Sequence, residues 1–207
     1  MNFPLRVVAL AVVAVMGWTG FVVAQEQAGQ SQRPRGQDAH HDLKEHLPLP
    51  TRGVAVLHPS EGSKVRGVIL LDQHNDGLHI HGKVVGLTPG KHGFHIHEFG
   101  DLRDPKGESA GGHFDPHGHK HGGPGSEEHH AGDLGNIEAN AEGVAEVNIK
   151  APWLKLHFVI GRPMVVHGDP DDLTSQPSGA AGPRVALGVI GIAKSDEAPQ
   201  KTPTATN

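Results

Sequence analysis

The chain of 207 residues has no cysteine and no tyrosine, and aromatic residues make up only 4% of it. Without cysteine it forms no disulfide and has no thiol to carry a lipid, which excludes a lipoprotein. The formal net charge is only −5 with histidine neutral, and no dense tract of Lys or Arg indicates a nucleic-acid partner. Glycine (29) and proline (16) are abundant. This composition favours a loop-rich β protein that acts on a small molecule.

The N-terminal residues are typical of an export signal. Arg6 precedes an apolar stretch, and Val22-Val23-Ala24 places small residues where a signal peptidase cuts. We predict a signal peptide over residues 1–24, export to a periplasm or the extracellular space, and no stable membrane association after cleavage. An uncleaved anchor is the alternative, because the apolar stretch is nearly long enough to cross roughly 30 Å of bilayer.

Two segments have the composition of flexible chain. Residues 25–51 are rich in Gln, Gly, Arg, Asp and His and have little apolar surface to bury, which predicts a linker. Alternatively, its histidines His40, His41 and His46 gather copper or zinc. Residues 195–207 mix Pro, Thr, Ala and charge without periodicity and predict a disordered tail.

Between them, residues 52–194 predict one all-β domain. Its fold class is an eight-stranded Greek-key barrel or an immunoglobulin-like sandwich with a long metal-binding loop. We expect the first four strands to form an antiparallel meander. Nine short β runs separated by turn signals are candidates for its strands: Gly53–Leu57, Val65–Leu71, Leu78–Leu87, Gly93–Phe99, Asn136–Asn140, Val144–Ile149, Leu154–Val159, Pro163–His167 and Val185–Ala193.

Histidines at chemically meaningful spacings point to metal binding. His95 and His97 are separated by one residue in an apolar frame, so on a strand both side chains leave the same face and can hold one ion. The stretch 101–132 has no strand or helix period but contains clustered histidines, and zinc ligation would explain so long a loop. Further candidate ligands stand in Gly112-His113, His121-Gly122-Gly123-Pro124, His130-Ala131-Gly132-Asp133 and Val166-His167. Histidine nitrogen suits copper and zinc, and three histidines with one aspartate complete a tetrahedral zinc shell, which predicts two sites of different composition.

From about Gly53 to Ala193 the chain resembles the copper/zinc superoxide dismutases. The motifs Gly-Phe-His-Ile-His-Glu-Phe-Gly, His-Gly-Gly-Pro, Gly-Asp-Leu-Gly-Asn and Gly-Val-Ile-Gly-Ile-Ala occur in the family's order and spacing. The resemblance implies that copper cycles between two oxidation states beside a structural zinc and converts superoxide to oxygen and hydrogen peroxide. It implies copper ligands His95, His97, His113 and His167. It implies zinc ligands His113, His121, His130 and Asp133, so that the imidazolate of His113 bridges the two metals.

The resemblance assigns roles to three further groups. It implies that His113 releases copper on reduction and carries a proton, and that Arg184 attracts and holds superoxide; the alternative for Arg184 is an ordinary surface arginine at a strand start. It also implies that Asp171 hydrogen-bonds a histidine from each metal site, His95 and His121. The alternative for Asp171 is a simple Asx turn beside Pro170.

The chain departs from the family in two places. The positions of the family's disulfide fall at Gly107 and Leu187, so the metal-binding loop must be anchored otherwise, and we predict that the metal-free protein is strongly destabilised. Residues 174–182, where the family commonly has a charged guiding loop, carry no charge. We therefore expect Arg184 to supply most of the attraction for the substrate anion.

Some alternatives stay open at this stage. His117, His119 and His129 could take zinc in a shifted register, whereas His79 and His81 are expected on the outer face of a strand, without metal. A metal carrier or a zinc-only structural module could use the same scaffold, although such proteins would be expected to lack a ligand or the arginine. A homodimer is a possible assembly, but the family dimerises through more than one surface.

Overall fold

The computed structural model describes residues 48–194. The predicted signal peptide, nearly all of the predicted linker with its histidines, and the predicted tail lie outside the described residues. None of the helices in residues 48–194 has the length and apolar content that a membrane span requires.

Eight antiparallel strands close into a barrel in the order β1-β2-β3-β6-β5-β4-β7-β8. The predicted all-β, Greek-key class is therefore confirmed, in its barrel form. The strands are β1 (Arg52–Pro59), β2 (Arg66–His74), β3 (Gly77–Val85), β4 (Gly90–Ile96), β5 (Asp133–Ala139), β6 (Val144–Ala151), β7 (Pro163–His167) and β8 (Arg184–Ile192).

The predicted meander of the first four strands is wrong at its last step. β3 pairs along its whole length with β6, from Leu78 opposite Ala151 to Val85 opposite Val144. Because β2 already occupies the other edge of β3, β4 must pair elsewhere, and it lies between β5 and β7. This crossover places β4 between β7 and the start of β5, and each of these three strands carries one candidate ligand, His95, His167 and Asp133.

The barrel interior follows the alternation of the strands. Inward side chains such as Ile69, Leu71, Ile80, Phe94 and Ile190 are fully buried in one continuous apolar core. At about 25 cal/mol per Å² of apolar surface, this burial is the main stabilisation that holds the strands on which the site is built.

The predicted strand over Leu154–Val159 is wrong. The chain there forms a turn and then a single helical turn, α1 (Leu156–Val159), whose buried residues Leu156 and Val159 follow the three-residue spacing of a helix. The side chain of Gln73 accepts the Leu156 N–H at 2.8 Å, so the start of α1 is satisfied by a side chain and not by a neighbouring strand.

The predicted long loop is present between β4 and β5. It contains one 3₁₀ turn, Glu108–Ala110, which the sequence pattern did not predict. A second loop, between β7 and β8, carries Asp171 and ends at Arg184. Both loops lie at the candidate metal centre.

Candidate metal centre

The candidate ligands come from strand ends and from the long loop. His95 lies in β4, His167 ends β7 and Asp133 begins β5. His97 follows β4 directly and forms an isolated β-bridge with His113, which draws the long loop back onto the strand. The folding of the barrel therefore brings together residues that are up to 72 positions apart in the sequence, from His95 to His167.

Two groups of ligand atoms converge, and they share one residue. Within each group every ligand atom lies within 4.8 Å of every other, and all the residues are buried. The first group, called cluster 1 below, consists of His95, His97, His113 and His167. The second group, cluster 2, consists of His113, His121, His130 and Asp133. These are the two sets that the resemblance to the family implied, with His113 common to both.

Cluster 1 contains two nitrogens that face each other with no proton between them. The Nδ1 atoms of His97 and His167 lie 3.0 and 3.1 Å from the carbonyl oxygens of Gly111 and Gly182. A carbonyl only accepts, so each Nδ1 carries the ring proton and each neutral ring has a lone pair at Nε2. The two Nε2 atoms lie 3.3 Å apart. Facing lone pairs at this distance are what a cation between them requires.

Burial keeps these rings neutral. Burial lowers the pKa of His167 to about 4. Burial, reinforced by the neighbouring His113 and His167, also lowers the pKa values of His95 and His97 well below their ordinary range. Their lone pairs are therefore free for metal at neutral pH.

Cluster 2 is organised around the carboxylate of Asp133. Burial alone would raise the pKa of Asp133, but the hydrogen bond and electrostatic interaction with His113, together with the Gly122 N–H, lower this pKa below its usual range. His113 Nδ1 lies 2.7 Å from Asp133 Oδ1. His121 Nδ1 and His130 Nδ1 lie 3.1 and 3.3 Å from the carboxylate oxygens. The group thus offers three imidazoles and one ionised carboxylate.

Four buried ring nitrogens lack any hydrogen-bond partner, and their positions test whether metal ions fit. They are His95 Nδ1 and His113 Nε2 of cluster 1, and His121 Nδ1 and His130 Nδ1 of cluster 2. The last two lie near Asp133 without the geometry of a hydrogen bond. A buried polar atom without a partner costs about 1–3 kcal/mol. One ion in each cluster satisfies all four atoms, so the residues present fit a pair of metal ions.

Asp171 connects the two clusters through hydrogen bonds to one histidine of each. One carboxylate oxygen lies 2.8 Å from His95 Nε2 and the other lies 3.0 Å from His121 Nε2. Because a carboxylate only accepts, each of these rings carries its proton on Nε2 and directs the lone pair of Nδ1 into its cluster. Asp171 also forms the Asx-type bond that its sequence suggests, since Oδ1 accepts the N–H of Leu173 at 2.7 Å. Both readings of this residue therefore hold in the geometry.

Cluster 1 opens onto solvent through a cleft of about 630 Å³. His97, His113 and His167 line its floor, and Arg184 lines its wall with a side chain that is 14% exposed. The guanidinium donates to two loop carbonyls, those of Gly107 and Gly111, the second at 2.6 Å. A fixed cation therefore stands beside the open face of the histidine cluster.

The other histidines within residues 48–194 lie outside both clusters. His117 and His119 are exposed, and His129 packs its ring on Trp153, so these side chains do not supply ligand atoms in the described structure. His79 and His81 lie on the outer face of β3, as predicted, with Nε2 atoms 3.1 and 2.8 Å from Asp76 and Asp72.

Three supporting residues were missed by the sequence reasoning. The Asn136 side chain bonds both the N–H and the carbonyl of Asp171, and Gln176 does the same for His121. The buried His92 lies 2.9 Å from the carbonyl of His167. Its shared parity with Phe94 on the strand was a signal for burial. Asn136 and Gln176 gave no such signal, because their partners are far away in the sequence.

Comparisons with known proteins agree with this geometry. The family described as copper/zinc superoxide dismutase matches residues 65–190. Superoxide dismutase (Cu-Zn) 3 of Arabidopsis thaliana is 45% identical over 157 residues, which cover 71% of this chain and 94% of that protein. The crystal structure of the clock protein EA4 superposes with a TM-score of 0.65 at 39% identity and covers 71% of this chain and 98% of that one.

Proposed function

The chain belongs to the copper/zinc superoxide dismutase family, and we propose that it carries out the disproportionation of superoxide at clusters 1 and 2. The protein is a superoxide dismutase that uses copper and zinc. The observation that carries the assignment to these residues is the set of four buried ring nitrogens that lack partners and point into the two clusters.

In this proposal His95, His97, His113 and His167 hold copper. They offer only imidazole nitrogen, which suits copper, and three of them, His97, His113 and His167, line the cleft beside Arg184. His113, His121, His130 and Asp133 hold zinc, because three imidazoles and a carboxylate form a closed tetrahedral zinc shell. When bound, copper supplies the two oxidation states that the reaction needs, which zinc lacks.

The chain's own groups handle the substrate and its protons. Arg184 attracts the superoxide anion into the cleft and orients it beside cluster 1, since its guanidinium stays charged at any working pH and is fixed by two carbonyls. His113 is the proton carrier, with Nε2 as the atom that takes up and releases the proton. Two superoxide anions and two protons give one oxygen and one hydrogen peroxide.

The experiment is superoxide consumption by protein loaded with copper and zinc, beside an Arg184→Ala variant. We expect rapid consumption by the parent protein. We expect the variant to keep both metals but to lose much of the rate and its dependence on ionic strength. Stoichiometric binding of both metals without superoxide consumption would instead favour a metal carrier or a structural module.

We also propose a homodimer that forms through one apolar patch. The exposed side chains of Phe99, Phe158, Val189 and Ile192 make up this patch. The chain segments that carry them are joined by Arg162, which donates to the carbonyls of Glu98 and Phe158, and by the bond from Gly161 N–H to Ile190 O. An apolar patch of this kind suits a two-fold contact with a second copy.

The oligomeric state in solution tests the dimer. We expect the parent chain to sediment as a dimer, the Ile192→Glu variant as a monomer and the Val68→Glu variant as a dimer. Val68 is the control because it is an exposed apolar residue, 50% accessible, on β2. A parent chain that sediments as a monomer would refute this surface.

Finally, we propose that the protein is exported and acts as an antioxidant in the periplasm or outside the cell. The support is the sequence alone: Arg6, the apolar stretch and the small residues at Val22-Val23-Ala24. The mature protein is then expected to begin at Gln25. Retention of residues 1–24 in purified protein would favour the anchor instead.

A further inference from the structure

Leu187 is an outward-facing residue that is nevertheless buried. Its neighbours in β8, Ala186 and Ile190, belong to the barrel core, so strand alternation directs Leu187 to the outer face. It is only 5% exposed, whereas Val189, which shares its parity, is 37% exposed. Something outside the barrel therefore covers Leu187.

The cover is the part of the long loop that contains the 3₁₀ turn Glu108–Ala110. Leu187, its cross-strand partner Val165 and the loop residue Ala110 form a small apolar cluster separate from the main core. The contact with the loop is close at Gly107, where an added Cβ would lie 2.7 Å from one δ-carbon of Leu187 and 2.9 Å from the other. The loop lies against Leu187 because Gly107 has no side chain.

This same stretch of loop provides the carbonyls that orient the site. Arg184 donates to the carbonyl oxygens of Gly107 and Gly111, and His97 Nδ1 donates to Gly111 O. The position of the guanidinium therefore depends on where the loop backbone rests. No disulfide secures this loop, because the chain has no cysteine.

We propose that Leu187 is a positioning residue for Arg184: by packing under Gly107 and Ala110 it fixes the loop whose carbonyls hold the guanidinium in the anion-binding orientation. The sequence places Gly107 and Leu187 where the family's disulfide would lie, so a tight apolar contact occupies the place of a covalent bond. This inference rests on the proposed role of Arg184.

Positioning of Arg184 and simple stabilisation of the fold by Leu187 give different experimental results. Truncation of Leu187 removes the support under Gly107 but leaves every metal ligand and Arg184 itself in the chain. Loss of core packing alone would lower the melting temperature without changing how the loaded enzyme binds an anion. Loss of positioning weakens anion binding as well, because the guanidinium no longer has its two acceptors in place.

The test uses azide, a small monoanion, and the copper-and-zinc-loaded enzyme. We expect Leu187→Ala to keep both metals and to raise the azide dissociation constant about fivefold, a fraction of what the loss of a charge-assisted hydrogen bond costs. Leu187→Met, which refills the space, should restore parent affinity. Val68→Ala, at an outward position on β2, is the matched control and should leave affinity unchanged.

Each outcome of the azide titration either supports or overturns the positioning role of Leu187. Unchanged azide affinity in loaded Leu187→Ala would overturn the proposal, even if that variant melts earlier. If Leu187→Ala does not fold, Leu187→Val removes less volume and is judged in the same way. An Arg184→Ala variant tests the role of Arg184 separately from that of Leu187. If its azide affinity equals that of the parent, the proposed role of Arg184 has failed, and not merely its positioning by Leu187.

Discussion

Replacement of Glu108 with glutamine should speed the reaction with superoxide. The Glu108 carboxylate lies at the mouth of the cleft, with Oε2 4.0 Å from Nη2 of Arg184, and its side chain is 74% exposed. An anionic substrate that approaches the guanidinium must therefore come close to a second, repelling charge. Glu108→Gln removes this charge and keeps the size of the side chain.

The magnitude follows from distance and screening. If the substrate pauses roughly 6 Å from the carboxylate, the repulsion in water is about 0.7 kcal/mol, or about a threefold change in rate at low ionic strength. With a Debye length of about 8 Å at physiological salt, the gain falls to less than about twofold. The high exposure of Glu108 is the reason to use the dielectric constant of water and not that of the interior.

The assay is the second-order rate of superoxide decay, measured at several ionic strengths. Glu146→Gln is the matched control, since it changes the net charge equally on β6, and among the described residues no part of β6 lines the cleft. We expect Glu108→Gln to be faster than both parent and control at low salt, with a difference that shrinks as salt is added. A rate equal to the parent at low salt would refute the electrostatic reasoning.

Three further predictions concern the metal centre. Asp171→Asn should weaken metal retention about 10- to 100-fold in a chelator competition, because an amide cannot accept hydrogen bonds from both His95 and His121. The control Asp172→Asn loses bonds only to Thr174 and Ser175 and should retain its metals like the parent. Equal retention by both variants would count against the role of Asp171 between the two clusters. The metal-free protein should be most stable above pH ~6.5 and should lose stability as the pH falls towards about 4, because the unfolded chain takes up protons at histidines such as His167 before the folded chain does. Denaturant titrations that give the same stability across that range would contradict this prediction. Chelation of both metals should lower the melting temperature by about 20 °C or more, since a structural zinc is worth on the order of 10 kcal/mol and a domain of this size shifts by about 2–4 °C per kcal/mol. Coincident melts of loaded and chelated protein would refute it, and thiol reductants should have no effect because there is no cysteine.

Some of the ligand residues could be predicted from local spacing, whereas the full copper and zinc sets, with the isolated His113, His121 and His167, came from the resemblance to the family. His95 and His97 alternate on one strand, and His130 stands three residues before Asp133, so each short motif carries its own geometric constraint. The structure brings these motifs together in the two predicted clusters. The short strands were predictable for the same reason, since their alternation is local.

Features that depend on contacts distant in sequence were not predictable. The pairing of β3 with β6 rests on eight residue pairs across the barrel, and nothing in the turn before β4 signals that crossover. Leu154–Val159 is as rich in apolar residues as a strand, but the N–H of Leu156 is satisfied by Gln73, a residue 83 positions away. The burial of Leu187 under Gly107 likewise becomes visible only when the loop is in place.

The most direct test of the central claim is the position of the metals in crystals of the copper-and-zinc-loaded protein, read from anomalous scattering at each absorption edge. The account predicts two peaks per chain: copper among His95, His97, His113 and His167, and zinc among His113, His121, His130 and Asp133, with the His113 ring between them. With copper kept in its oxidised state, a single peak, exchanged metals, or a His113 ring that contacts only one ion would contradict it.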